Sequence, residues 1–544
     1  MCSLTEILAG STVAGPLVRL SCRAIDRVQT GIGQSFFAPL LGLLIKPILA
    51  LGQQRLVQLG VRILFLLNLL ALLCGLCILD TGPIGLMTWS LLALGMLEMI
   101  LRQDINWLRE LTVVDLLVLA FLASAAVSAG FSSYLKYSVI GFAKLSTFAA
   151  GYFGFRVLSV LYASSSSSGN SWIYGVYGLG LLLSFLGLLE SLIGFGQFFN
   201  HVDARATWVD PTINPELNLT RIFGTLKPAN PNLLAGFLIP CLVAAIGIAK
   251  WRLSALLDVV NASSNRAQVL PRLLFLLLSV GASVAILGAL VLTGSRGGFL
   301  AIAGILLVLF ALWGHLLWQP ESELQKTNPA LNKQLFSRRT LKTLWVLVLV
   351  FSIAGALGVL SVSPQLQHRV SSIFAMRKDS SISYRLNVYN SVGQMIQDNP
   401  VVGIGPGNDT FKRVYGYYMV PGFNALGAYS VPLEILAEQG VVGFGIFVLL
   451  LLVLCLRGLY FLDSDRPLSE KMTVIILVAG IVASILYGVF DTIWYRPSVN
   501  LLFWLFVALL AQLTRPLETT FSQVGPVALS GKSNLSDKSE GLLI

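Results

Sequence analysis

The chain is built around uninterrupted apolar runs of roughly 18 or more residues, about twelve by that criterion. They begin near Val61, Gly82, Val113, Tyr137, Trp172, Asn232, Leu273, Gly298, Leu344, Gly440, Met472 and Val499. A helix of that length crosses a hydrocarbon core of about 30 Å and pairs its own backbone polar groups, as any structure in lipid must. Composition agrees, with 56% hydrophobic residues and 12% charged ones. The fold class expected is an all-α polytopic membrane protein of about 12 transmembrane helices, with one large extracytoplasmic loop between the ninth and tenth.

Charge placement predicts the orientation, because lysine and arginine gather in short cytoplasmic loops. Arg19, Arg23, Arg27, Lys46 and Arg55 precede the first run, and Arg102, Arg109, Lys250, Arg252, Arg272, Arg338 and Arg339 follow even-numbered ones. Both termini are therefore expected in the cytoplasm of a multi-pass inner-membrane protein. This distribution also accounts for much of the net charge of +11 and leaves nucleic acid no role as a partner; membrane lipid is the expected one. No cleavable signal peptide is expected, since Arg19, Arg23 and Arg27 interrupt any apolar leader. The six cysteines suggest no disulfide framework, and the three scattered histidines suggest no metal site. The expected division is an N-terminal and interfacial segment over 1–58, a bundle over 59–362, the loop over 363–428, the last three spans over 429–514, and a disordered tail over 515–544.

The loop is the candidate seat of function, since a long polar connection carrying its own helix and glycine turn is more often functional than ornamental. Ser383 is a plausible N-cap, and Leu386, Tyr389, Val392 or Gly393, and Ile396 recur at helical spacing until Asn399-Pro400. Arg385 then falls in the first turn, where it either opposes the helix dipole so that a bound anion would relieve it, or is a solvated surface arginine. In G-I-G-P-G-N, the glycines Gly403, Gly405 and Gly407, with Asn408, permit either an anion-binding nest or a plain turn.

The same face carries T-G-S-R-G-G at Thr293–Gly298, whose Arg296 lies at the hydrocarbon edge and calls for an anion, a headgroup or a carboxylate such as Asp491. Arg221, Lys227, Arg369 and Arg496 add cations that the topology rule does not require. Asp491 and Arg496 are placed to form an ion pair. Glu434 and Glu438 stand one helical turn apart, suited either to acid-base work or to capping their helix. Trp208, Trp494 and Tyr495 suit a membrane interface without any further role.

These motifs resemble the O-antigen ligase and polymerase superfamily. The matches are S-R-G at Ser295–Gly297, Arg385, N-P-V-V-G-I-G-P-G-N at Asn399–Asn408 and L-E-I-L-A-E-Q-G at Leu433–Gly440. The chain is also similar to the cyanobacterial IctB-type branch, through A-T-W-V-D-P, N-P-N-L-L-A, T-G-S-R-G-G, A-Y-S-V-P-L-E and D-T-I-W-Y-R-P. The branch implies binding of an anion at the periplasmic face and a part in bicarbonate accumulation. The superfamily implies metal-independent, cofactor-free transfer of a polyprenyl-diphosphate-linked glycan, with Arg296, Arg385 and Tyr429 as catalytic positions. Tyr429-Ser430 stands where ligases carry a histidine-asparagine pair, and an unperturbed phenol is a poor base. Whether the chain is an enzyme is open at this level.

Overall fold

The computed structural model describes residues 55–101, 111–164, 171–202, 221–262, 266–318, 342, 343, 346, 380–492 and 495–515. Regular structure among them is helical: α1 Arg55–Ile78, α2 Thr81–Leu101, α3 Val113–Phe131, α4 Leu135–Ser164, α5 Ser171–Phe199, α6 Pro231–Ala262, α7 Val269–Leu292, α8 Arg296–Trp318, α9 Ser380–Asp398, α10 Asn408–Tyr415, α11 Val431–Asp463, α12 Leu468–Gly488 and α13 Pro497–Leu513. Among the described residues, 9 helices are long and apolar enough to cross a membrane. Helix α4 falls outside that set because it carries Lys136, Lys144 and Arg156, and α13 because it has 17 residues. The run expected at Leu344 lies outside the described residues except at 346.

The helices share one apolar core. Lipid is as apolar as leucine, so helices associate by close packing rather than by escape from water. Gly480 illustrates it: a Cβ there would meet the Phe506 ring at 2.4 Å, so α12 and α13 approach as closely as backbone permits. Several polar groups buried in the core are paired. Asp115 completes a capping box with Thr112 at the start of α3. It also accepts from Arg156 Nε at 2.9 Å and from Tyr152 at 2.6 Å, and Arg156 continues to Gln512 of α13.

One irregular segment enters the bundle. Residues 221–230 lie against α5, where Gln197 accepts from the Phe223 and Gly224 N–H groups and donates to the Gly224 carbonyl, at 2.9 to 3.0 Å. Glu190 accepts from the Thr225 N–H at 2.8 Å and from its hydroxyl. Non-helical backbone within a membrane bundle persists only where protein satisfies it, and these two side chains do so, with Ile222 and Leu226 buried.

A second apolar cluster unites α9, α10 and the start of α11 through Val388, Val392, Met395, Phe411, Tyr415 and Ala437. Two expectations are corrected here. Helix α9 begins at Ser380, so Ser383 is an interior residue and Arg385 lies beyond the first turn. Its buried stripe is Val388, Ser391, Val392 and Met395, while Leu386, Tyr389 and Ile396 are only half-buried.

Removing one member of a buried ion pair strands its partner's charge, a loss of about 3–5 kcal/mol. Asp115→Ala is expected to destabilise the bundle by that amount in detergent unfolding, and Asp115→Ala with Arg156→Met is expected to recover most of it.

Candidate functional site

The site begins with a break in α11. Gly440 takes φ 65° and ψ −169°, which interrupts the helical hydrogen-bond ladder and frees groups on either side. The Asn399–Asn408 turn takes them up. The Val441 N–H donates to the Pro400 carbonyl at 2.8 Å, while the Ala437 and Glu438 carbonyls accept from the Ile404 and Gly405 N–H groups at 2.9 and 3.1 Å. Ser128 of α3 adds a 2.5 Å bond to the same Glu438 carbonyl, and Ser132 one of 2.6 Å to the Ile404 carbonyl. The fit admits no side chain at Gly440, where a Cβ would lie 2.2 Å from the Val401 carbonyl oxygen.

This docking decides what the glycine turn does. The Gly407 N–H donates to Glu438 Oε1 at 3.0 Å, so the N–H groups of Gly405 and Gly407 are committed to α11. Gly405 donates to the Glu438 backbone carbonyl, and the anion that Gly407 holds is the protein's own carboxylate. Asn408 donates to the Leu426 carbonyl at 3.2 Å, closing the turn against the chain that leads to Tyr429.

Two carboxylates follow from the same geometry. Glu438 also accepts from the Tyr495 hydroxyl. Burial and the two neighbouring glutamates raise the Tyr495 phenol well above its ordinary range, so it stays protonated and donates. Glu434, 1% exposed, lies beside Tyr495 and Thr492, with neither oxygen in a well-formed hydrogen bond. Gly427 covers it, a position where a Cβ would lie 2.7 Å from Oε1. A buried polar group left unpaired in this way calls for an explanation, such as a bound ligand or a chemical role.

The cations gather around Tyr487 and Asp491. Arg221 donates through Nε to the Thr293 carbonyl at 2.7 Å and through Nη2 to Asn232 Oδ1 at 2.9 Å, fixing the turn that reverses α7 into α8. Gly294 makes that reversal at φ 59°, and Ser295 Oγ accepts from the Gly298 N–H at 3.4 Å. Arg296 is therefore the first residue of α8. A cation on the first turn opposes the helix dipole and gains from an anion placed there, so the dipole argument made for Arg385 applies instead to Arg296. Gly297 packs on the Tyr487 ring, and Tyr487 donates to the Asn232 carbonyl. Arg221, Arg385 and Asp491 all lie within electrostatic reach of that phenol.

Arg385 and Asp491 both lie within electrostatic reach of Tyr389 and Tyr429, on which they act in opposite directions. The Tyr389 hydroxyl donates to the Tyr429 carbonyl at 3.1 Å. Tyr429 holds φ 52°, a left-handed conformation costly for a residue with a side chain and often found at functional sites. Burial, reinforced by Tyr384 and Asp491 and opposed by Arg385, pushes its phenol up to about 12. Arg496 is held below its ordinary value by burial, with Asp491 opposing. The Asp491 carboxylate accepts from the Thr492 N–H at 2.7 Å, and no Asp491–Arg496 salt bridge is present among the described residues.

Of the expected residues, Arg221, Arg385, Tyr429 and Asp491 thus come together beside the turn that places Arg296, while Lys227 is exposed and Arg369 lies outside the described residues. Tyr495 had been assigned to the interface. Its bond to Glu438 joins elements that no local pattern connects, as do those of Tyr389 and Tyr487.

A family model described as O-Antigen ligase matches residues 281–448, from α7 through the loop helices to just beyond the Gly440 break. No curated protein matches the chain. The match supports a multi-pass membrane protein similar to the O-antigen ligase superfamily.

Because Gly440 accepts both a left-handed φ and a carbonyl contact, Gly440→Ala is expected to release the 399–408 turn from α11. Limited proteolysis should then cut between Asn399 and Asn408 at least tenfold faster, with helix content unchanged; unaltered cleavage would contradict the docking.

Proposed function

We propose that the protein transfers a glycan from a polyprenyl-diphosphate carrier to an acceptor at the loop face of the membrane, and that this face is extracytoplasmic. The observation that carries the reading is the gathering of Arg221, Arg385 and Asp491 around Tyr487, beside the turn that puts Arg296 at a helix start. The family match spans Arg296, Arg385, Tyr429 and Glu434. Phosphate oxygens pair with guanidinium groups through two parallel bonds, and such clamps stabilise charge as it develops on a leaving group.

In this reading Arg296 and Arg385 hold the diphosphate. The acceptor oxygen bonds to the anomeric carbon as the bond from that carbon to the diphosphate oxygen breaks, and its electron pair stays on the diphosphate. The acceptor proton goes to the Glu434–Glu438 pair, two buried side chains one helical turn apart on α11. Tyr429, at about 12, stays protonated and serves as a hydrogen-bond donor rather than a base. Arg221 positions the α7–α8 turn. Bicarbonate handling, implied by likeness to the IctB-type branch, draws on the same arginines.

Proteoliposomes supplied with polyprenyl-diphosphate glycan and acceptor test the reading. Arg385→Ala and Arg296→Ala are each expected to lower transfer by about 10² to 10³, the loss seen when one preorganised donor is removed. Arg296→Lys should not restore it, since an ammonium lacks the planar fork. No transfer by the unaltered protein, with uptake of labelled bicarbonate above empty vesicles, would favour the ion reading.

The raised phenol fixes a sign for pH. A group protonated up to about 12 does not change charge across the working range, so Tyr429→Phe should leave the shape of the rate profile between about pH 6 and 10 unchanged. A basic limb lost in Tyr429→Phe would instead make the phenol a base. Glu434→Gln should abolish transfer while leaving donor binding intact.

A further inference from the structure

At the end of the bundle away from the loop, a crevice of about 570 Å³, open mouth included, lies among α5, α6, α12 and α13. Its floor is apolar and buried, formed by residues such as Leu183, Ile248 and Phe506. Val176 and Gly180 of α5 and Met472 and Ile476 of α12 remain partly exposed and mark the mouth between those helices. One cation lines it, Lys250 of α6. No carboxylate forms a salt bridge with Lys250 among the described residues, and Asp258 reaches it only electrostatically.

Desolvating an ammonium among apolar residues without a partner is unfavourable, so the position calls for an anion. The helix geometry says which kind. Lys250 lies about 28 Å along α6 from Pro231, close to the full hydrocarbon thickness. The ammonium thus stands at headgroup depth while the crevice runs toward the membrane interior from it. Trp251, stacked on Tyr177 with ring centroids 4.6 Å apart, and Arg252, 4.7 Å above the Trp251 ring, continue an interfacial, cationic rim. An apolar slot with a cation at headgroup depth matches an acyl chain joined to a phosphate.

We infer that this crevice is a binding site for an anionic phospholipid of the cytoplasmic leaflet, one acyl chain in the slot and the phosphate on Lys250. The leaflet assignment rests on the orientation proposed above; the site itself does not depend on glycan transfer. It lies apart from Arg296, Arg385 and Glu434, so its loss separates from theirs.

The test uses the full-length protein in nanodiscs of equal phosphatidylglycerol and phosphatidylcholine, released for native mass spectrometry. The unaltered protein should retain phosphatidylglycerol about fivefold over phosphatidylcholine, the effect of one lysine near a charged surface. Lys250→Gln should remove the preference, and Lys250→Arg should keep it. Gly180→Leu, which fills the slot, should reduce retention of both lipids, with unchanged thermal unfolding as the folding check. Equal retention of the two lipids by the unaltered protein, or an undiminished preference in Lys250→Gln, would overturn the proposal. So would displacement of the retained lipid by millimolar inorganic phosphate, which would mark a site for soluble anions.

Discussion

The loop face depends on the interruption of α11 at Gly440. A helix that continued through this point would bond its own carbonyls and offer the loop nothing. Broken there, it exposes the Ala437 and Glu438 carbonyls and the Val441 N–H, and the 399–408 turn satisfies all three. The same docking delivers the Gly407 N–H to the Glu438 side chain and sets α10 over α4. Everything above α11, including the approach to Tyr429 and the cover over Glu434, takes its position from this joint.

A second joint is independent of the first. Gln197 and Glu190 hold residues 223–225 against α5, which brings Arg221 to the Thr293 carbonyl and fixes the turn that begins α8 at Arg296. The two joints meet at Tyr487 and Asp491, on and just after α12. The site is thus assembled from separate parts of the chain, two of them fixed by these joints. Such preorganisation is what electrostatic stabilisation of a leaving group requires.

Much of this was legible in the sequence. Hydropathy identified the helices because the period of an apolar run needs no partner to be read, and the unneeded cations Arg221, Arg296 and Arg385 stood out against the topology rule. What escaped was long-range. Ser380–Ile382 extends α9 upstream of the apparent cap because the α9 stripe is chosen by its contact with α10 and α11 rather than by its own periodicity. The glycine turn pointed to a ligand, and its donors instead meet α11: Gly407 a carboxylate 31 residues away, Gly405 a backbone carbonyl. Tyr495 looked like an interfacial aromatic, since nothing local reveals that its hydroxyl faces Glu438.

The central claim is that arginines on α8 and α9, brought together by these joints, receive the diphosphate of a lipid-linked glycan. The most direct measurement is an experimental structure of the full-length protein in lipid with a non-transferable polyprenyl-diphosphate glycan. The account predicts density for the diphosphate between Arg296 and Arg385, with the adjoining sugar toward Tyr429 and Glu434. A diphosphate bound elsewhere on the protein, with those two arginines unaltered from the free state, would contradict it.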